Sequence, residues 1–415
     1  MPYTPRIADL ELERRLQATG AVVVEGPKAC GKTETARQVS ESEVLLDIDP
    51  AAREAAELNP ALVLDGESPR LIDEWQLAPE IWNHVRRAVD DRGVPGQFIL
   101  AGSAQPADDA TRHTGAGRIS RLTMRPMSLW ELGTSNGEIS LAALLGGESG
   151  EAPNPGLELE DLAQAICRGG WPAFRNLELP AALRRVRDYL DEIVRGDVRQ
   201  VGQRHRPERV ARLIQSLARN VATPVTATTL AADAGRPEDP VSDDAVAAYL
   251  SSLARLFIVE EQPAWQPHLR SRYRLQRAAK RHFVDPSLAV GALRADPDAL
   301  MRDLNFLGLL FESLVVRDLR VYAQGLDGAV EHYHDSGGLE VDAIVTTAGS
   351  WGAFEVKLGG ERRIEEGAAS LIRFSERVDT TRSGEPAVLA IVVASGYGYV
   401  REDGIQVIPI GALGP

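Results

Sequence analysis

Residues 21–33 read Ala-Val-Val-Val-Glu-Gly-Pro-Lys-Ala-Cys-Gly-Lys-Thr, and this stretch decides the fold. Ala21–Glu25 is an unbroken apolar, β-branched run, the pattern of a parallel strand buried on both faces. Gly26, Pro27, Lys28, Ala29, Cys30, Gly31, Lys32 and Thr33 then match G-x-x-x-x-G-K-[ST]. The glycines let the backbone curl so that successive N–H groups point at phosphate oxygens. Lys32 is placed to put a point charge on the β- and γ-phosphates, and Thr33 to offer a hydroxyl to Mg²⁺. A helix starting near Lys32 adds its positive dipole end. The expectation is a Mg²⁺–nucleoside triphosphate site.

Working outward, Pro69–Trp75 is a short apolar run that ends in two adjacent carboxylates. Asp73 is the candidate to hold Mg²⁺ through water, and Glu74 the candidate to polarise the attacking water. The alternative is a capping pair for a helix over Pro79–Val89. Gln97–Ser103 is another apolar run, ending in Ser103. In P-loop proteins with an extra strand between the phosphate-loop strand and the carboxylate strand, that position senses the γ-phosphate. A plain strand-to-turn serine fits equally. Strands near Val44–Ile48 and Ile119–Thr123 complete a five-strand parallel sheet with helices on both faces. One arginine should act on transition-state charge, in cis or from a neighbouring subunit. Arg118 is the candidate, with Arg121 and Arg125 as rivals and surface ion pairing as the alternative for each.

The chain has 415 residues, which suggests two or three domains. A net charge of −14 argues against a wholly nucleic-acid-binding surface, although a local basic face would suffice. Cys30 and Cys167 cannot build a disulfide framework, so a reducing cytoplasm fits best. The N-terminus lacks a signal-peptide core, and no apolar stretch of about 18 residues or more suggests a membrane span. Gly146–Pro155 reads as a linker. Beyond it come amphipathic helices over Leu157–Ile166 and Ala181–Val198, the latter ending near Asp197. Three shorter helices follow at Val210–Ala222, Ala227–Ala234 and Asp243–Leu256, then a strand at Phe257–Glu260. That order suggests a winged helix. His268–His282 carries six Lys/Arg and no acid. It could face nucleic acid, or be a solvated strand paired with acidic neighbours.

The C-terminal third pairs a helix over Asn305–Tyr322, carrying Glu312, with strands at Val330–His334, Leu339–Thr346 and Gly352–Lys357. Glu355 and Lys357 point to one strand face. Asp342 and Glu355 could clamp a divalent metal, with Lys357 steadying the attacking water. This order, with D…ExK, fits a restriction-endonuclease-like nuclease in which Glu312 is the extra helix carboxylate. The same residues could equally form a buried ion network without catalysis. Further strands are expected at Ala387–Ala394 and Gln406–Ile410, after a helix over Glu361–Val378.

Taken together, the chain resembles a widespread bacterial and archaeal family that joins an AAA-type ATPase to a C-terminal domain of unknown function. The resemblance rests on Arg6, Gly26–Thr33, Leu71–Glu74, Ala101–Ser103, Gly115–Arg118, Arg168–Pro172, Val284–Pro286 and Phe354–Lys357. Trp171 stands where a Tyr is expected. The resemblance implies ATP rather than GTP and an α/β fold in three parts. These are an AAA-type P-loop domain over 1–145, a helical and winged-helix-like domain over 156–285 and a nuclease-like domain over 286–415. The functional expectation is Mg²⁺-dependent ATP hydrolysis coupled to nucleic-acid binding or processing. The alternative is an ATP-gated switch acting on a protein partner, with a non-catalytic nuclease-like domain. Oligomerisation fits either reading.

Overall fold

Ala21 and Val23 face one apolar cluster while Val22 and Val24 face another, so the first strand is buried on both sides. That strand is the centre of a five-stranded sheet in a computed structural model that describes residues 3–105, 114–198, 206–266 and 279–415. The described residues form two compact units. The first takes residues up to Pro126 together with Gly196–Arg204 and Ser251–Ile258, and the second takes the rest. Residues 127–145 belong to the second unit because Ile139–Ser140 pairs in parallel with Leu413–Gly414 near the C-terminus.

In the first unit the elements are α1 (Ile7–Ala18), β1 (Ala21–Glu25), α2 (Lys32–Arg37), β2 (Ser42–Leu45), α3 (Pro50–Leu58), β3 (Arg70–Asp73), α4 (Ile81–Arg92), β4 (Phe98–Gly102) and β5 (Ile119–Thr123). The sheet order is β2-β3-β4-β1-β5, all parallel. The extra strand β4 therefore lies between the phosphate-loop strand and the carboxylate strand, as expected. Leu12 and Leu16 of α1 and Ala36 of α2 cover one face. Ala56 of α3 and Ile81, Trp82 and Val85 of α4 cover the other. Strand β2 ends earlier than the sequence suggests, because Asp49 caps α3 by accepting from the Ala52 N–H and Pro50 starts that helix. In parallel register Glu25 lies beside Gly102, and Ala101 beside Asp73. The carboxyl ends of β1, β3 and β4 thus meet at one edge, where open α/β sheets bind ligands.

In the second unit, helices Leu159–Arg168, Leu179–Glu192, Pro207–Arg219 and Ala227–Ala234 precede the antiparallel pair Val259–Gln262 and Lys280–Phe283. A π-helical turn, Ile193–Asp197, extends the second of these helices. The helix Leu304–Gln324 follows, buried without interruption from Leu310 to Ala323. It packs on the six-stranded mixed sheet built from Ala329–His334, Glu340–Thr347, Ser350–Lys357, Val388–Val393, Gln406–Pro409 and Tyr399–Val400. The first three strands are antiparallel, and the fourth joins in parallel after the helix Glu361–Arg377. Trp351 and Trp265 pack together under that helix, and Phe374 of the helix meets the Trp351 ring edge-on. Among the described residues no helix is long and apolar enough to cross a membrane. Cys30 and Cys167 are both buried free thiols.

Two sequence motifs outside the phosphate loop share one internal staple in this unit. Arg317 is fully buried and bonds Asp285 Oδ2 at 2.7 Å and Asp318 Oδ1 at 2.8 Å. Asp285 also accepts the Gly170 N–H at 2.9 Å, and Asp318 accepts the Leu129 N–H at 3.0 Å. Trp171 Nε1 donates to Ser287 Oγ at 3.1 Å. Gly169, at φ +72°, must be glycine, since a Cβ there would lie 2.4 Å from Ser287 Oγ. The Arg168–Pro172 and Val284–Pro286 motifs are therefore structural.

Candidate functional site

The phosphate loop leaves β1 at Gly26, where a Cβ would lie 2.0 Å from the Met124 carbonyl. Only glycine fits this passage. Gly26→Ala is expected to weaken nucleotide binding at least about tenfold and to cost about 1–3 kcal/mol of stability. A fluorescent-nucleotide titration beside thermal unfolding checks both, and wild-type affinity would refute the close-approach argument. Arg6 braces the loop from below: its guanidinium donates to the Cys30 carbonyl at 2.9 Å and to the Arg125 carbonyl at 2.8 Å. Lys32 is buried, and its Nζ donates to the carbonyls of Gly26 at 3.0 Å and Pro27 at 2.8 Å. That holds the ammonium against the inner curve of the loop. Lys28, exposed on the loop, pairs with Asp197 at 2.6 Å.

Thr33 Oγ1 donates to Asp73 Oδ2 at 3.0 Å, so the two candidate Mg²⁺ residues meet. Burial raises the Asp73 carboxyl above its ordinary value, opposed by the Thr33 bond and assisted by the charge on Glu74. Glu74 sits in the left-handed region at φ 52° and ψ 40°, a conformation that costs a non-glycine residue about 1 kcal/mol. It turns the side chain at the end of β3 toward β4. There Ser103 Oγ donates to Glu74 Oε2 at 3.3 Å and Gln76 Nε2 donates to the same oxygen. The sequence reading missed Gln76. Its signal is the tightness at Gly102, where a Cβ would lie 2.6 Å from Gln76 Oε1.

The arginine candidates separate. Arg118 immediately precedes β5 and sits beside the start of β1, so within this chain it lies at the sheet edge opposite the phosphate loop. It pairs with Asp90 at 2.5 Å. A role on phosphate would have to be played across to a neighbouring subunit. Arg121 pairs with Glu25 at 2.7 Å and lies over the Trp82 ring. Arg125 follows Met124 on the loop side of the sheet.

In the second unit, Glu312, Asp342, Glu355 and Lys357 do come together, and a fifth residue joins them. Lys280 Nζ lies 2.8 Å from Glu312 Oε1 and 3.6 Å from Asp342 Oδ1. Lys357 pairs with Glu355 and lies 3.5 Å from Asp342 Oδ2. Asp342 sits at a β-bulge: Val341 pairs with Tyr333 but Ile344 with Glu331, so Asp342 and Ala343 together oppose one residue. The bulge lets Val341 and Ile344 both enter the core under the helix Glu361–Arg377, an outcome no strict alternation predicts. Burial, with Asp342 beside them, pushes Glu312 and Glu355 up to about 8. Burial also works to raise Asp342, but Lys357 and Lys280 outweigh it and hold the carboxyl below its usual range.

Most of the basic segment 268–282 lies outside the described residues. Of its described end, Lys280 and His282 point inward and are buried, while Arg281 pairs with Glu261 at 3.1 Å. The described part thus pairs with acidic and polar neighbours and forms no outward basic row.

Comparison with known proteins divides the chain into three matched segments. Residues 18–133 match the family model described as an AAA domain. Residues 159–299 and 307–413 match two domains of unknown function, DUF8612 and DUF4143. Two proteins described as uncharacterized, from Mycobacterium bovis and Mycobacterium tuberculosis, are each 24% identical over 411 residues, covering 97% of this chain and 83% of the relative. A Walker-type ATPase of Pyrococcus abyssi is similar at 13% identity and a TM-score of 0.42, covering 71% of this chain and 98% of that one.

Proposed function

We propose, for a chain that is an ATP-binding AAA-type P-loop protein ending in a DUF4143 domain, that it hydrolyses ATP to ADP and phosphate at the Gly26–Thr33 loop with Mg²⁺. The observation that carries this reading is Thr33 Oγ1 at 3.0 Å from Asp73 Oδ2, with Glu74 held beside them by Ser103. One hydroxyl and one carboxylate suit Mg²⁺, which takes its remaining ligands from phosphate and water. When bound, Mg²⁺ would offset the charge of the β- and γ-phosphate oxygens. The loop amides and Lys32 bind and orient the phosphates. Glu74 orients a water and takes its proton as the oxygen attacks the γ-phosphorus and the bond to the β-phosphate oxygen breaks. Ser103, just past the end of the neighbouring strand β4, positions that carboxylate and would report the γ-phosphate.

Lys32→Ala is expected to weaken ATP binding by about 100-fold or more, because a charge-assisted contact to phosphate is lost from a buried site. Phosphate release by wild type in Mg–ATP, with Lys32→Ala alongside, tests the proposal. No release from wild type would refute hydrolysis. Adding single- or double-stranded nucleic acid to the same assay tests coupling. The inward seats of Lys280 and His282 and the pairing of Arg281 favour the second reading of that coupling, in which turnover gates a protein partner. The helix, three antiparallel strands, helix and parallel strand of the C-terminal part support a nuclease-like fold for it.

A further inference from the structure

A divalent-metal nuclease site needs carboxylate oxygens free to approach one cation at about 2.0–2.6 Å. The cluster of Glu312, Asp342 and Glu355 has the oxygens, but the space between two of them is already taken. Lys280 is 3% exposed, and its ammonium lies 2.8 Å from Glu312 and 3.6 Å from Asp342. The remaining approach to Asp342 Oδ2 is shared by Lys357 at 3.5 Å and by the Val356 N–H at 2.8 Å. Among the described residues, no group of three metal-ligating side chains is arranged to hold a metal ion. The carboxylates therefore do not fit the metal that a nuclease-like fold implies.

We propose that Lys280 is the resident cation of this cluster: its ammonium stands where a divalent metal would sit, and the C-terminal domain neither binds metal there nor cleaves nucleic acid. The lysine is seated, not poised to swing. Its strand pairs with Val259–Gln262, and Gln262 Nε2 donates to the main-chain oxygens of Asp342 at 2.9 Å and Glu331 at 3.1 Å. On the next inward position His282 bonds Gln262 Oε1 at 3.0 Å and Ser313 Oγ at 3.2 Å. Two ammonium groups already face the three carboxylates, each paired directly with one of them and close to Asp342, so most of the cluster's negative charge is countered without any metal. Lys280 lies in the segment that reads, from sequence, as a basic surface; its position two residues before the buried His282 on one strand face is the signal that it turns inward.

This inference rests on the nuclease-like reading only for the expectation of a metal, and its test reads metal binding, not cleavage, so the two can fail separately. The probe is Mn²⁺, followed by electron paramagnetic resonance on the full-length, nucleotide-free chain. In wild type, Asp342→Asn should remove no Mn²⁺ binding at about 1 mM metal. Lys280→Met, similar in length and uncharged, should gain one Mn²⁺ per chain, bound at least about tenfold tighter than any wild-type site, and lose it again on adding Asp342→Asn. Mn²⁺ binding by wild type that disappears in Asp342→Asn overturns the proposal, as does a folded Lys280→Met that gains nothing. Should Lys280→Met not fold, the wild-type comparison with Asp342→Asn decides alone: Asp342-dependent binding overturns the proposal and its absence supports it.

Discussion

Glu74→Gln is expected to bind ATP as tightly as wild type and to turn it over about 100- to 10,000-fold more slowly. The substitution keeps shape and hydrogen bonding nearly intact. Gln76 Nε2 and Ser103 Oγ both donate to Glu74 Oε2, and an amide oxygen in that place accepts both. The left-handed backbone at φ 52° is no harder for glutamine than for glutamate. What disappears is basicity and negative charge beside the attacking water. In the proposed mechanism binding rests instead on the loop amides and on Lys32, whose ammonium bonds the Gly26 and Pro27 carbonyls. Phosphate release and a nucleotide titration on the same preparation separate the two effects. Equal turnover in variant and wild type would remove Glu74 from the base role. Ser103→Ala should fall between, since it loosens the carboxylate without neutralising it; a reduction of about tenfold is expected.

Why this site was legible in the sequence, and others were not, follows from the range of the forces involved. The phosphate loop is a local object: a strand, a turn that admits only Gly26, and a helix beginning at Lys32. Asp73 and Glu74 were legible because they end a short apolar run, and the parallel register carries that run to the loop's edge of the sheet. The same logic places Arg118 away from phosphate. A residue that precedes a parallel strand starts at the opposite edge from a loop that follows one, and β5 pairs with β1 residue for residue from Ile119 beside Ala21. Glu312, Asp342, Glu355 and Lys357 were named from element order and do meet. Lys280 escaped because its partners are 32 and 62 positions away in sequence, and composition alone reads a lysine among arginines as surface. The bulge at Asp342 escaped because strand periodicity assumes an unbroken ladder.

Arg317→Met should be the most destabilising single change in the second unit, by about 3–5 kcal/mol. Arg317, Asp285 and Asp318 are all essentially without solvent contact. Burial works against the guanidinium's charge, but Asp318 and Asp285 more than compensate and hold it firmly protonated. Methionine fills much of the volume, so packing is not the main loss. Two buried carboxylates are left facing each other without a cation, and one must take up a proton or draw in water. The consequence is not confined to one helix, because Asp285 holds the Gly170 N–H and Asp318 the Leu129 N–H. Loosening them frees the turn around Trp171 and the start of the segment after Met127. The charge argument separates from a packing argument in one further variant. Arg317→Met combined with Asp285→Asn and Asp318→Asn removes the stranded charges; the amide oxygen at 318 can still accept the Leu129 N–H, and that at 285 one of the two backbone N–H groups, of Gly170 and Ser287, that Asp285 accepts. That triple variant should recover half or more of the lost stability in urea denaturation, as expected when a buried ion network is neutralised as a whole. If single and triple variants unfold at the same urea concentration, the staple acts through packing and the electrostatic account fails.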